Sequence, residues 1–114
     1  NRKMKMKAYL INFLLFLFNK YDELIDETRL ESFIVTLADC LKTDDEDFLV
    51  QTLNIIDIIV TRENNGDPNN KPLFDYLWDD EYHEIIETLQ NDENSNVSQL
   101  AIQLSKSLNF TFNL

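Results

Sequence analysis

Glycine and histidine are scarce in this chain, and each scarcity removes a class of function. A single glycine cannot build a phosphate-binding loop or a dinucleotide-binding turn, because both need several glycines where the backbone approaches phosphate. The chain has one histidine, His83, whereas a metalloprotease motif needs two. Any catalytic triad would have to use this same histidine. We therefore predict a protein that is not an enzyme and that carries no cofactor and no metal.

Cysteine is equally scarce, since Cys40 has no second cysteine with which to close a disulfide. It lies in an apolar run over 33–41 with acidic residues nearby. Those surroundings raise a thiol pKa, so we expect a small buried hydrophobic residue and not a nucleophile. A reducing, intracellular setting fits this cysteine usage.

Positive charge is scarce as well. Ten Lys and Arg stand against 21 Asp and Glu, and the formal net charge is −11. Such a chain repels phosphate backbones and anionic lipid, so we expect neither a nucleic-acid partner nor a membrane partner. It attracts basic peptides or basic protein surfaces. The alternative, that the acidic charge only keeps a helical domain soluble, stays open.

The first residues invite comparison with a secretory signal peptide, because four basic residues precede an apolar run over 8–18. No small-residue cleavage site follows, and the run is about half of the ~20 residues needed to cross a bilayer. We predict a folded helix over 4–20, apolar on nearly every side and interrupted only by Asn12. A secreted or tethered protein remains an alternative.

Apolar periodicity and capping residues predict further helices downstream. The pattern Thr28-x-x-Glu31 reads as a capping box with Thr28 as the N-cap, opening a helix that reaches Leu41. Trp78 and Tyr82 are expected to pack in the core. The other predicted elements are a short helical segment at 21–25, a helix over 45–62 behind acidic residues, a loop over 64–70, a short helix over 72–78, a helix from 79 or 80 to 89, and a helix over 97–109.

Two segments of the chain are similar to each other. Residues 41–60 superpose on 89–108 with an offset of 48, close to the roughly 40 to 47 residues of HEAT or armadillo repeats. We predict an all-α, armadillo/HEAT-like α-solenoid segment of about two and a half repeats. Its single domain, 1–114, divides into the last helix of a preceding repeat (1–20), a repeat (21–63) and a C-terminal repeat (71–110). About three repeats are usually needed and the first residue is Asn, so we expect a piece of a longer protein.

The segment Ile86-Glu87-Thr88-Leu89-Gln90-Asn91-Asp92-Glu93-Asn94 resembles the final armadillo repeat of importin alpha. The resemblance covers nearly the whole chain but is sharp over only about a dozen residues. It implies a nuclear import adaptor of cytoplasm and nucleus that binds basic peptide cargo, importin beta or the export receptor. The chain has Glu81-Tyr82 where that family has a glycine pair. The family binds signal peptides through a Trp and an Asn one helical turn apart, and the equivalent positions of this chain are Tyr9 and Phe13, so the asparagine is missing.

Polar residues recur on the helices that would line the groove of such a solenoid. We assign partner binding to residues with helical spacing on three helices: Tyr9 and Asn12, then Gln51, Asn54 and Asp57, then Gln99 and Gln103. Amides can hydrogen-bond an extended peptide, and a carboxylate can neutralise a basic side chain. Two alternatives remain. These residues form only a solvated face, or the chain is a scaffold subunit, similar to helical kinase scaffolds, that docks through its apolar N-terminal helix.

Overall fold

The computed structural model describes residues 27–110, with side chains from residue 30. This part contains helices and no strand, which confirms the all-α prediction for it. Five α-helices and one 3-10 turn follow one another: α1 (Glu27–Asp39), the turn (Cys40–Lys42), α2 (Glu46–Asn64), α3 (Pro72–Leu77), α4 (Asp80–Leu89) and α5 (Ser95–Ser107). The predicted segments 4–20 and 21–25, and with them Tyr9 and Asn12, lie outside the described residues.

Aspartate side chains cap the N-terminal ends of two helices. The Asp45 carboxylate accepts from the backbone N–H of Phe48 at 2.7 Å at the start of α2. Asp79 accepts from the N–H of Glu81 at 3.0 Å at the start of α4, as its sequence predicts. Each cap satisfies a backbone donor that has no partner within its own helix.

Two predicted helix starts are wrong. Glu27 and Thr28 are both helical, so Thr28 is not the N-cap of α1. The last helix begins at Ser95, not at Val97, because the Asn94 side chain accepts from the N–H groups of Asn96 (2.9 Å) and Val97 (3.3 Å). Asn94 therefore caps a turn that the apolar pattern alone does not mark.

The core is built around α2, which is buried on most of its circumference and makes its most extensive helix contact with α5. Fully buried aliphatic side chains come from every helix, for example Leu37, Ile56, Leu73, Ile86 and Leu104. Burying a side chain of this size contributes about 1.5–3 kcal/mol, so this shared core holds the five helices together.

Helices α2 and α5 run side by side in the same direction. At their N-terminal ends the Asn94 amide donates to the Glu46 carboxylate at 3.0 Å. At their C-terminal ends the Asn64 amide donates to the carbonyl of Ser107 at 2.8 Å. Glu46 and Asn94 are 48 positions apart, the same offset that relates the two self-similar segments of the sequence. The contacts thus join equivalent ends of the two segments.

The short helix α3 depends on a side chain from α2. Pro72 occupies the first turn of α3, as predicted, and the buried Glu63 carboxylate accepts from the N–H groups of Leu73 (3.0 Å) and Phe74 (2.8 Å). These donors are otherwise unsatisfied in a helix of six residues. A carboxylate at a helix N-terminus is also favoured by the helix dipole.

Helix α5 ends at a residue in the left-handed conformation, Asn109, and the indole of Trp78 binds a backbone carbonyl at this end. Asn109 has φ 59°, and the N–H of Phe110 donates to the carbonyl of Ser105 at 2.9 Å, which is the hydrogen bond of a Schellman motif. The Trp78 Nε1–H donates to the carbonyl of Leu108 at 2.9 Å. Trp78 is 47% exposed, so the expectation of a core position is wrong for it, whereas Tyr82 is buried as predicted.

Candidate partner-binding surface

Helix α2 exposes one narrow stripe. Gln51, Asn54 and Thr61 are exposed and recur at three- and seven-residue spacing, which places them on one side of the helix. Ile58 belongs to the same stripe and is 42% exposed. Between Phe48 and Val60 every other position of α2 except the half-buried Val50 is buried, so this stripe is the surface that the middle of the helix can offer to a partner.

Helix α5 exposes a similar stripe. Gln99, Gln103 and Lys106 are exposed at helical spacing, and Ile102 between them is 38% exposed. Helices α2 and α5 are parallel and related by the 48-residue offset, so Gln51 and Gln99 occupy equivalent positions. The two stripes therefore face the same side of the helix pair. We call this surface the amide face, made of Gln51, Asn54, Ile58, Gln99, Ile102 and Gln103.

Asp57 does not belong to the amide face. Only 7% of its surface is exposed, and its carboxylate accepts from the Ser107 hydroxyl at 2.7 Å. On a helical wheel Asp57 lies beside the exposed stripe, on the side of α2 that meets α5. The carboxylate of Asp57 therefore joins the two helices. The prediction from spacing, that it presents a negative charge to a ligand, is wrong.

The two exposed isoleucines are the members of the amide face that sequence reasoning missed. Apolar residues on an amphipathic helix are ordinarily assigned to the buried side, and Ile58 follows a run of apolar residues that are buried. The one available signal is spacing, since Ile58 lies four residues after Asn54 and Ile102 lies three after Gln99. Amides that can pair with a peptide backbone next to exposed aliphatic side chains suit the binding of an extended segment.

A second polar cluster connects α1 to α4. The Tyr82 hydroxyl donates to Asp39 at 2.8 Å, and Lys42 forms ion pairs with Glu81 at 2.6 Å and Asp39 at 3.4 Å. Burial, followed by the hydrogen bond to Asp39, raises the pKa of Tyr82 far above its usual range. The hydrogen bond to Glu81 raises the pKa of the exposed Lys42 ammonium. This cluster is therefore a structural link between helix ends.

Cys40 packs against the core but is half-buried and not fully buried as expected, and His83 packs against aromatic rings. Burial, and then the neighbouring Asp39 charge, raises the pKa of the Cys40 thiol, in the direction expected from its sequence surroundings. The His83 ring is stacked at 7° to Trp78 with ring centroids 6.5 Å apart, and it meets Phe110 edge-on at 4.4 Å. A thiol with a raised pKa is a poor nucleophile.

Metal-ligand geometry and membrane-spanning geometry are both missing from residues 27–110. In that part of the chain no three side chains of His, Cys, Asp or Glu converge as metal ligands do. None of the helices in the same range combines the length and the apolar character that crossing a bilayer requires.

Comparisons with known proteins add no relative. A scan against family models found no match, and searches of curated proteins and of solved structures found no similar chain.

Proposed function

We propose that this chain is a non-enzymatic protein-interaction module, a segment of an armadillo/HEAT-like α-solenoid that binds an extended segment of its partner along the amide face. The parallel pairing of α2 and α5 at the repeat offset supports this proposal, because solenoids stack equivalent helices in that way. The order long, long, short, long, long in α1 to α5 is also that of armadillo repeats.

The partner class follows from charge and from the resemblance to importin alpha. The net charge of −11 favours a basic peptide or a basic protein surface. On the resemblance of 86–94 to the last importin alpha repeat we propose that the chain is part of a nuclear transport adaptor, with a nuclear-localisation-type peptide or the importin alpha export receptor as ligand. With Asp57 buried, the peptide backbone is held by the four amides, and Ile58 and Ile102 supply apolar contacts.

The test is a pair of matched charge variants. Gln51→Lys/Gln99→Lys adds two positive charges to the amide face, whereas Asn69→Lys/Asn91→Lys adds the same charge at exposed positions outside it. Isothermal titration with a basic nuclear-localisation peptide and with the export receptor should show that the first variant loses at least about tenfold in affinity, equivalent to ~1.4 kcal/mol. The second should lose only the small share due to net charge. Equal losses in both would contradict a specific surface.

The alanine variant Gln51→Ala/Asn54→Ala/Gln99→Ala/Gln103→Ala removes the proposed hydrogen bonds without adding charge. Unchanged affinity for every such ligand would overturn the amide face as the binding surface. If neither ligand binds the wild-type chain, the nuclear-transport assignment fails. Recovery of one salt-insensitive complex from cell extract would then favour the scaffold-subunit alternative.

A further inference from the structure

We infer that a groove between α3 and the start of α4, on a different surface from the amide face, binds an arginine side chain of a protein partner. The groove encloses about 360 Å³ and combines three carboxylates with three aromatic rings, from Asp75, Tyr76, Trp78, Asp79, Glu81 and Tyr82. It shares no residue with the amide face, so the inference goes beyond the proposed function.

The exposed indole is the first observation. Trp78 is 47% exposed, yet it is fixed in place by the hydrogen bond from Nε1 to the Leu108 carbonyl and by an edge contact with Phe110 at 5.0 Å. Phe74, with its ring centroid 6.3 Å away, supports the indole as well. A large aromatic surface that is held rigidly in solvent is typical of binding hot spots, because little side-chain entropy is lost when a partner covers it.

The charge of the groove selects a cation. No Lys or Arg is among the residues that line it, and Asp75 and Asp79 are both exposed. Lys42 already shows the same chemistry at its rim: its ammonium pairs with Glu81 and lies 5.4 Å from the centroid of the Tyr82 ring. A carboxylate next to an aromatic ring thus holds a basic side chain within this protein. The carboxylates of Asp75 and Asp79 and the ring of Trp78 offer the same combination to a second basic side chain.

Arginine fits this groove better than lysine does. A guanidinium is planar, so it can stack on the indole while its N–H groups point sideways toward Asp75 or Asp79 as a paired hydrogen bond. An ammonium can satisfy the carboxylates but not the stacking. The occupant is therefore an arginine presented by a peptide or a protein surface, which agrees with the net charge of −11.

Binding in the groove can be followed by intrinsic fluorescence, because Trp78 is the one tryptophan of the chain. An acetylated Gly/Ser peptide bearing two arginines, and without aromatic residues, is titrated while the fluorescence of Trp78 is recorded at low ionic strength. A saturable change in emission is expected. The matched peptide with citrulline in place of arginine keeps the shape and loses the charge, and should bind at least about fivefold more weakly. The lysine peptide should also bind more weakly.

Asp75→Asn/Asp79→Asn removes two charges from the groove, and it keeps the cap of α4 because Asn also caps helices well. It should weaken binding of the arginine peptide about fivefold. The control Asp44→Asn/Glu93→Gln makes the same charge change at exposed residues outside the groove and should leave binding nearly unchanged. The single variant Asp75→Asn is a second test, and it should weaken binding of the arginine peptide by less than the double variant does.

Any of four results would overturn the inference: no saturable change with the arginine peptide, equal binding of the citrulline peptide, equal or tighter binding of the lysine peptide, or equal losses in the groove variant and its control. The outcome is separate from that of the proposed function. Gln51→Ala/Gln99→Ala should leave the Trp78 titration unchanged, whether or not the amide face binds a partner.

Discussion

Asp57 accepts a hydrogen bond of 2.7 Å from the hydroxyl of Ser107, and this contact joins α2 to α5. The same two helices are joined at their N-terminal ends by Asn94 and Glu46. Polar contacts therefore set the register of the two parallel helices, and apolar burial between them supplies the stability. The amide face depends on that register, because a shift along either helix would separate its two stripes.

We expect Asp57→Ala to lower the free energy of unfolding by about 2 kcal/mol, since it removes a partly buried hydrogen bond between a hydroxyl and a carboxyl group. Asp57→Asn should cost less, because its carbonyl oxygen can still accept from Ser107. Urea unfolding measures both, and a double-mutant cycle with Ser107→Ala should give a coupling of about 1 kcal/mol. Normal stability of Asp57→Ala together with lost partner binding would show that Asp57 acts at the surface.

The Glu63 carboxylate is the second contact whose loss should be large. Glu63→Ala leaves the N–H groups of Leu73 and Phe74 without their acceptor, and we expect a loss of about 2–3 kcal/mol. Glu63→Gln retains one acceptor oxygen and should lose less. Thermal and urea unfolding are the measurements.

The exposed Glu93→Ala serves as the control for Glu63 and should stay within about 0.5 kcal/mol of the wild type. Hydrogen exchange of the α3 amides should also accelerate in Glu63→Ala, because the first turn of that helix loses its cap. Unchanged exchange in α3 would mean that the short helix is held by burial of Leu73 and Leu77 alone.

Tyr82 gives the fold a dependence on alkaline pH. Its pKa is raised in the folded chain, so the folded state holds the phenolic proton more tightly than the unfolded state does. The resulting stability is present below about pH 10, the usual pKa of tyrosine, and is lost as pH rises further. Tyr82→Phe should abolish that part of the loss.

Urea unfolding from neutral pH to about pH 11 tests the role of Tyr82. Tyr82→Phe should be less stable than the wild type at neutral pH, because the hydrogen bond to Asp39 is missing, and the difference should shrink above about pH 10. Tyrosinate absorbance should show one of the four tyrosines resisting ionisation until unfolding. A difference that stays constant with pH would contradict the raised pKa.

The helices were predictable where short-range signals define them. Acidic caps such as Asp45 and Asp79, and Pro72 in a first turn, act within a few residues of their own position. The start of α5 was misplaced because the amide of Asn94 forms the cap before any apolar residue appears. Local chemistry thus predicts most helix boundaries and fails where a polar residue opens a helix alone.

The surface residues were predictable only in part, because periodicity gives the angle around a helix and not its neighbours. Gln51 and Asn54 are exposed as their stripe indicates, but Asp57 lies next to the stripe and is covered by α5. Trp78 is an aromatic residue at a helix junction and was therefore expected to pack in the core. In the structure the indole is exposed and donates a hydrogen bond to the carbonyl of Leu108, thirty residues away in sequence. Such tertiary contacts leave no signal in spacing.

Asn109 gives a sharp test of the end of α5, since it is the one non-glycine residue with positive φ among those that the structure describes. A side chain without a local polar group is strained there, so Asn109→Ala should lower the free energy of unfolding by about 1 kcal/mol. Asn109→Gly should be neutral or slightly stabilising, because glycine adopts this conformation without strain. Thermal unfolding distinguishes the two variants.

The matched control is Asn91→Ala, an exposed asparagine in the turn before α5 whose φ is not positive. It should change stability by less than about 0.5 kcal/mol. If Asn109→Gly were as destabilising as Asn109→Ala, the Asn109 side chain would be needed for its own contacts and not for its backbone conformation. The result also bears on the groove, because the same turn places Phe110 against the edge of Trp78. Asn109→Ala should therefore alter the emission of Trp78, and Asn109→Gly should leave it unchanged.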